Sequence, residues 1–189
     1  MRFAMTNHPA PQVRYASSMR ELSIETPRLR LSPLSPGDAP FILELLNEPA
    51  FLRDIGDKQV RSLEDARAYI ETGPRASYRD HGFGLLRVEL KTTGEPIGIC
   101  GLLKREFLDH PDLGYSVLER HWSQGYAFEA ASAIMRYAAD ELRLNTVLAI
   151  TAPENPTSIR VLEKLGFRFD RLANFPGYTT ASRVFEWTR

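Results

Sequence analysis

The first half of the chain combines a short apolar strand pattern with helical patterns. The segment RLRLSPL (residues 28–34) places Leu29 and Leu31 on one side of a strand, because side chains alternate between the two faces of a sheet. The next segment, SPGDAPFILELLNE (residues 35–48), has the polar start and the recurring apolar positions of a capped helix. SLEDARAYIET (residues 62–72) predicts a second, shorter helix.

Three strands are predicted in the middle of the chain. GFGLLRVEL (residues 82–90) and PIGICGLLK (residues 96–104) are joined by KTTGE, a polar turn with a glycine. We therefore expect these two segments to form a hairpin. The third strand, DLGYSVL (residues 112–118), leads directly into the polar stretch ERHWSQGYAFEA.

The second half alternates helices and strands. Beyond Gly125, apolar residues recur at helical spacing at Ala130, Ala131, Ile134, Ala138 and Leu142. Four more elements are predicted: a buried strand (146–151), a helix (155–166) and two closing strands (167–172 and 182–188). This alternation predicts one α/β domain with a mixed sheet over residues 23–189.

The first 22 residues are predicted to form a disordered leader. Residues 1–20 contain arginine but no acidic residue, and they lack the continuous apolar region of a secretory signal. A transit peptide and a translation start near Met19 are the alternatives.

The composition argues against several kinds of partner. The chain carries 24 basic and 24 acidic residues, so it has no net positive charge with which to attract nucleic acid or an anionic membrane. Its apolar runs are far shorter than the roughly 18 residues of a membrane span. The single cysteine, Cys100, lies in an apolar run and fits a buried side chain in a reducing compartment. We expect a soluble cytoplasmic protein, either a monomer or a homodimer, without nucleic-acid or membrane partners.

Gly125 lies where a strand turns directly into a helix. The first backbone N–H groups of a helix have no partner within the helix, and together with the helix dipole they favour an anion. A glycine at this junction lets a phosphate approach the backbone closely. A tight turn alone explains most single glycines, so the following segments are needed for a functional interpretation.

Three segments together resemble the GNAT superfamily of acetyl-coenzyme A (acetyl-CoA) dependent N-acetyltransferases. They are DLGYSV, HWSQGYAFEA and, after a buried strand, NPTSIRVLEKLGF. All three are similar to the branch that acetylates the N-terminal residues of ribosomal proteins. The family's pyrophosphate loop usually starts with Gln or Arg. Here Trp122 takes that place, and Gly125 and Ala127 take the two small positions.

The resemblance implies a fold and a cofactor site. The implied fold is a mixed, mostly antiparallel central sheet of six to seven strands with helices on both faces. The backbone of residues 123–127 would cradle the pyrophosphate of acetyl-CoA, while the preceding strand would splay from its neighbour and expose backbone groups to the pantetheine arm. The cofactor-binding residues so implied are Val117, Trp122, Ser123, Gln124, Gly125, Tyr126, Ala127 and Asn155. No metal is expected, and Asn155 also suits a helix N-cap.

Two residues are candidate catalytic groups. Asp112, where the branch has a glutamate, would accept the proton of the amine directly or through a water, although an ordinary turn aspartate is the alternative. Ser158 would protonate the leaving thiolate, or would only satisfy amides at the helix start. Tyr115 and Tyr126 have weaker claims, since aromatic residues at such positions usually pack.

We therefore expect acetyl transfer from acetyl-CoA to a primary amine. An α-amine with a pKa of about 8 is roughly a tenth neutral at pH 7, whereas a lysine with a pKa of about 10.4 is neutral in less than about one part in a thousand. A protein N-terminus thus needs a weaker base than a lysine does. A small amine, such as a polyamine, an amino acid or an antibiotic, and an acyl-CoA-binding sensor without turnover are the alternatives.

Overall fold

One mixed sheet and six α-helices make up the described part of the chain. The computed structural model describes residues 22–176, 178 and 180–189. The strands are β1 (Ile24–Glu25), β2 (Leu29–Pro33), β3 (Leu85–Leu90), β4 (Pro96–Leu103), β5 (Asp112–Val117), β6 (Thr146–Thr151), β7 (Arg168–Ala173) and β8 (Ser182–Thr188). The helices are α1 (Ala39–Asn47), α2 (Pro49–Asp54), α3 (Leu63–Thr72), α4 (Pro74–His81), α5 (Tyr126–Asp140) and α6 (Pro156–Lys164). The predicted leader, residues 1–22, lies outside the described residues except for its last one.

The sheet has the order β1-β2-β3-β4-β5-β6-β8-β7. Its neighbouring strands run antiparallel except β5 and β6, which are parallel. The predicted α/β class and mostly antiparallel sheet are therefore confirmed. The sheet has eight strands rather than six to seven, because β1 has only two residues, too few to show an alternating pattern.

Helices cover both faces of the sheet, as predicted. On one face α5 packs on β2, β4 and β5 while α6 packs on β6, and the buried side chains there include Leu29, Leu31, Ala130, Ile134 and Leu162. On the other face α1 and α3 pack on β3 and β4, and the buried side chains there include Phe41, Leu45, Ile70, Leu85 and Ile99. Two separate apolar layers thus hold the sheet between them.

Two helices were missing from the prediction. The helix α2 has six residues and α4 has eight, and each begins with a proline, Pro49 or Pro74. Helices of this length complete about two turns and give too few apolar repeats to be recognised. None of the helices in the described ranges is long and apolar enough to cross a membrane.

Gly98 sets the spacing between β4 and β5. A Cβ atom at Gly98 would lie 2.4 Å from the carbonyl oxygen of Ser116 and 3.1 Å from the Cα of Val117. Both are backbone atoms of a paired strand, so they cannot rotate away. We expect Gly98→Ala to lower the free energy of unfolding by about 1–3 kcal/mol in urea titrations.

Gly37→Ala is the matched control, because a Cβ atom at Gly37 would meet its nearest neighbour, Ser35 Oγ, at an ordinary 3.5 Å. This change should stay within about 0.5 kcal/mol of wild type. Equal effects of the two substitutions would contradict the close approach of β4 and β5.

Candidate active site

The parallel strands β5 and β6 pair at one end and then diverge. Their register contains the single pair Asp112 and Leu148, and the Leu148 N–H donates to the Pro111 carbonyl over 2.9 Å. Beyond this pair the described residues of the two strands share no ladder. The sheet therefore opens into a gap, as the family resemblance implied.

The register decides which backbone groups face the gap. The Leu118 N–H donates to the Ile97 carbonyl over 2.9 Å, and pairing alternates along antiparallel strands. Tyr115 and Val117 therefore direct their N–H and C=O groups away from β4 and toward the gap. The Val117 carbonyl already accepts a hydrogen bond from Trp122 Nε1 over 2.6 Å, so its N–H is the group left for a ligand.

The loop before α5 contains two residues with a left-handed backbone conformation. Ser123 has a φ of 61° and Gly125, the N-cap of α5, has a φ of 81°. Glycine adopts this conformation without the strain that a Cβ atom causes. Since no side chain caps α5, the N–H groups of its first turn remain available to an anion.

A cleft of about 1490 Å³ joins the gap to this loop. Eight of the ten predicted site residues line it: Val117, Trp122, Ser123, Gly125, Tyr126, Ala127, Asn155 and Ser158. The other two, Asp112 and Gln124, do not line it. The Gln124 carbonyl instead accepts a hydrogen bond from Arg28 Nη1 over 2.9 Å.

Tyr115 and Ser158 form a hydroxyl pair on the cleft wall. Their oxygens lie 2.9 Å apart, and the Tyr115 hydroxyl also donates to the Ser158 carbonyl over 3.2 Å. Asn155 caps α6, its Oδ1 accepting from the Ser158 N–H over 3.0 Å, and thereby orients this pair. Burial raises the pKa of Tyr115 to about 12 against the opposing hydrogen bond from Ser158. Tyr115 is therefore protonated at neutral pH and can donate a proton.

Asp112 is buried behind an arginine. Its side chain is 1% exposed, and both carboxylate oxygens accept from Arg105 Nε, over 3.1 and 3.0 Å. Burial raises the pKa of Asp112 to about 6, although the nearby charge and hydrogen bonds of Arg105 oppose this. Arg105, which also donates to the Tyr178 hydroxyl, does line the cleft. Nothing in the local sequence predicts this role of Arg105, since a single arginine in a loop forms no pattern.

Two aromatic residues, Phe107 and Tyr178, line the cleft beside Arg105, and Phe175 contacts both rings. Phe107 stacks on Phe175 with ring centroids 4.7 Å apart, and Phe175 meets Tyr178 edge-on at 6.2 Å. Lys58 also lines this end, and burial together with the charge of Arg105 lowers its pKa. This end of the cleft thus combines apolar rings with positive charge.

A sheet that opens between parallel strands, with an uncapped helix start at the opening, is the architecture implied for an acetyltransferase. Residues 28–168 match the family model described as the acetyltransferase (GNAT) domain. The chain therefore belongs to the GNAT family of N-acetyltransferases.

The chain is similar to several other proteins. The uncharacterised protein YkkB of Bacillus subtilis (strain 168) is 31% identical over 152 residues, which are 77% of this chain and 85% of YkkB. An acetyltransferase from Agrobacterium tumefaciens str. C58 is 28% identical, with a TM-score of 0.77 over 89% of this chain and 95% of that one. RimL, a ribosomal L7/L12 alpha-N-protein acetyltransferase solved in complex with coenzyme A, is 17% identical with a TM-score of 0.76, over 88% of this chain and 98% of RimL.

The raised pKa of Asp112 predicts a pH-dependent stability. Because the folded pKa of about 6 lies above the ordinary 3.8, the folded protein holds this proton more tightly than the unfolded chain does. The stabilisation from the protonated group is complete below the unfolded pKa and is lost as the pH rises through the folded pKa, about 3 kcal/mol in all.

Asp112→Asn removes this titration without changing the size of the side chain. We expect the free energy of unfolding of wild type, measured relative to Asp112→Asn in urea, to fall by that amount between about pH 4 and pH 7. The ion pair with Arg105 exists only while Asp112 is ionised, and its effect is already contained in the folded pKa of about 6, so it adds no separate pH dependence. A difference independent of pH would contradict the raised pKa.

Proposed function

We propose that this protein transfers the acetyl group of acetyl-CoA to the α-amine of a protein N-terminus. The observation that carries the proposal is the gap between β5 and β6, which opens onto the uncapped start of α5. The gap offers strand N–H groups to the amide-containing pantetheine arm, and the loop offers helix N–H groups to the pyrophosphate. RimL, which shares the fold, is solved with coenzyme A and acts on a protein N-terminus according to its name, which is consistent with both parts.

The proposed cofactor contacts are mainly backbone contacts. The N–H groups of residues 123–127 surround the pyrophosphate, and the Val117 N–H pairs with the pantetheine arm. Trp122 takes the first place of the loop, where its indole holds the Val117 carbonyl and so keeps the end of β5 in place. Asn155 orients the start of α6, which forms the opposite wall of the cleft.

The proposed reaction is a direct attack of the amine on the thioester. The amine nitrogen forms a bond to the acetyl carbon, and the negative oxygen of the tetrahedral intermediate is stabilised by a β5 N–H that faces the gap. The carbon–sulfur bond then breaks, and the departing thiolate takes a proton from the Tyr115 and Ser158 pair, which regains a proton from solvent. The proton lost by the amine passes through a water to Asp112, because the carboxylate itself does not line the cleft.

The basicity of Asp112 favours an α-amine as acceptor. A carboxylate with a pKa of about 6 is ionised at neutral pH and lies about two pKa units below an α-amine, but more than four below a lysine. Proton removal from an α-amine is therefore the smaller free-energy step.

A second candidate function is acyl-CoA binding without turnover. The observation that favours it is the engagement of both Asp112 oxygens by Arg105, which competes with any role of this carboxylate as a base. The cofactor site is the same in both candidates, so only turnover separates them.

The phosphate cradle is tested by adding a charge at Gly125. Aspartate and asparagine have nearly the same shape and tolerate a positive φ better than other non-glycine residues, so Gly125→Asp and Gly125→Asn differ chiefly in charge. A Cβ atom at Gly125 would lie 3.5 Å from Arg28 Nη2, so the carboxylate would compete with the Gln124 carbonyl for this guanidinium, and its negative charge at the loop should also repel the pyrophosphate. We expect coenzyme A to bind Gly125→Asp at least about tenfold more weakly than Gly125→Asn in calorimetric titrations, roughly the effect of one unfavourable charge contact. Equal affinities of the two variants for coenzyme A would contradict the proposed binding of the pyrophosphate by this loop.

The acceptor class is tested with two peptides that each present one amine. One has a free N-terminus and no lysine, and the other has a blocked N-terminus and one lysine. We expect kcat/KM at pH 7 to favour the free N-terminus by roughly a hundredfold, because a far larger fraction of its amine is neutral. A preference for lysine would contradict the proposed acceptor.

Two further outcomes of this assay bear on the alternatives. Coenzyme A binding without acetylation of either peptide or of small amines would favour the sensor. If Asp112→Asn binds coenzyme A and acetylates the peptide at the wild-type rate, then Asp112 is not the base.

A further inference from the structure

Arg28 contacts the phosphate loop from the side away from the cleft. Its Nη1 donates to the Gln124 carbonyl over 2.9 Å, and its guanidinium lies over the Tyr126 ring, 4.5 Å from the centroid. Gly125 and Tyr126 line the cleft, whereas Arg28 and Gln124 do not. Arg28 therefore lies behind the loop that the cofactor would contact from the front.

A carboxylate on α5 fixes the guanidinium. Glu129 accepts from Arg28 Nε over 2.6 Å and from the Arg28 backbone N–H over 2.9 Å. Its other contact is the Thr26 hydroxyl, at 2.6 Å, and Thr26 Oγ1 in turn accepts from the Leu29 N–H over 2.8 Å. Burial favours protonation of Glu129, but the hydrogen bonds from Thr26 and Arg28 outweigh it and hold the pKa below its usual value. The turn between β1 and β2 is thus tied to the first helical turn of α5.

The loop needs such an external contact. Ser123 and Gly125, on either side of Gln124, both have a positive φ. In Ser123 this conformation causes backbone strain that a glycine would avoid. The hydrogen bond from Arg28 to the Gln124 carbonyl fixes the orientation of the Gln124–Gly125 peptide unit.

Because the peptide unit is planar, the contact between Arg28 and the Gln124 carbonyl also fixes the direction of the Gly125 N–H. In a trans peptide the C=O and the following N–H point in opposite directions, and the described residues contain no cis bond. Because the Gln124 carbonyl points to Arg28, the Gly125 N–H points the other way, toward the cleft.

We propose that Arg28 is a positioning residue that aims the Gly125 N–H at the pyrophosphate of coenzyme A. It acts through the Gln124–Gly125 peptide and does not touch the cofactor. Glu129 and Thr26 hold Arg28 in the orientation that this requires. The inference rests on the proposed acetyl-CoA site.

The test compares Arg28→Met with Arg30→Met. Arg30 is a matched control, because its side chain is 45% exposed against 48% for Arg28, and it is also ion-paired, with Glu25 and Glu89. We expect Arg28→Met to weaken coenzyme A binding at least about tenfold in calorimetric titrations, roughly the loss of one hydrogen bond to a charged group, while Arg30→Met stays within about twofold.

A shorter acetyl donor separates positioning from a general structural role. S-acetylpantetheine lacks the pyrophosphate, so Arg28→Met should lower kcat/KM for acetyl-CoA at least about tenfold and leave kcat/KM for S-acetylpantetheine within about twofold of wild type. If Arg28→Met does not fold, Glu129→Gln, which keeps the side-chain shape, should give the same selective loss.

Three results would overturn the inference. One is unchanged coenzyme A affinity in a folded Arg28→Met protein, and another is an equal loss with both acetyl donors. Failure of the wild type to bind coenzyme A is distinguishable from these, since it would overturn the proposed function and the role of Arg28 with it.

Discussion

Backbone N–H and C=O groups inside a protein need partners, and the divergence of β5 from β6 leaves several of them facing a cleft instead of a strand. The rest of the site follows from the topology that creates this gap. Parallel strands need a crossover connection, and here α5 is that connection. Its N-terminus therefore lies where β5 ends, beside the opening. One βαβ unit thus places unpaired strand amides and an uncapped helix start in the same cleft.

This arrangement lets a chain without net charge present the proposed site for a strongly anionic cofactor. The proposed donors are backbone amides of the loop and of α5, whose orientation depends on the left-handed backbone at Ser123 and Gly125. Trp122 replaces the polar residue that usually begins this loop, and its indole N–H bonds the end of β5. Buried charges lie elsewhere in the cleft region, in the ion pair of Asp112 with Arg105, next to the proposed acceptor end.

Local patterns predicted much of the fold, because β2, the β3–β4 hairpin, α5 and α6 each show a clear periodicity. The elements that were missed, β1, α2 and α4, are too short to repeat a pattern. Most of the residues proposed to bind the cofactor follow one another between β5 and α5, and their role stays a prediction. The contacts of Arg28 with Glu129 and of Arg105 with Tyr178 join residues far apart in the chain, and spacing along a sequence carries no record of them. The same holds for the burial of Asp112, because the sequence places this residue at the start of a strand but carries no record of the arginine that covers it.

The central claim is that the gap and the start of α5 form one binding surface for coenzyme A. Amide hydrogen exchange with and without coenzyme A tests it most directly, because each N–H that gains a partner exchanges more slowly. The account predicts increased protection at Tyr115 and Val117 and across residues 123–128, with little change on the far side of the sheet in α1 and α3. Protection confined to other elements, or none in these two segments at a saturating concentration of coenzyme A, would contradict it.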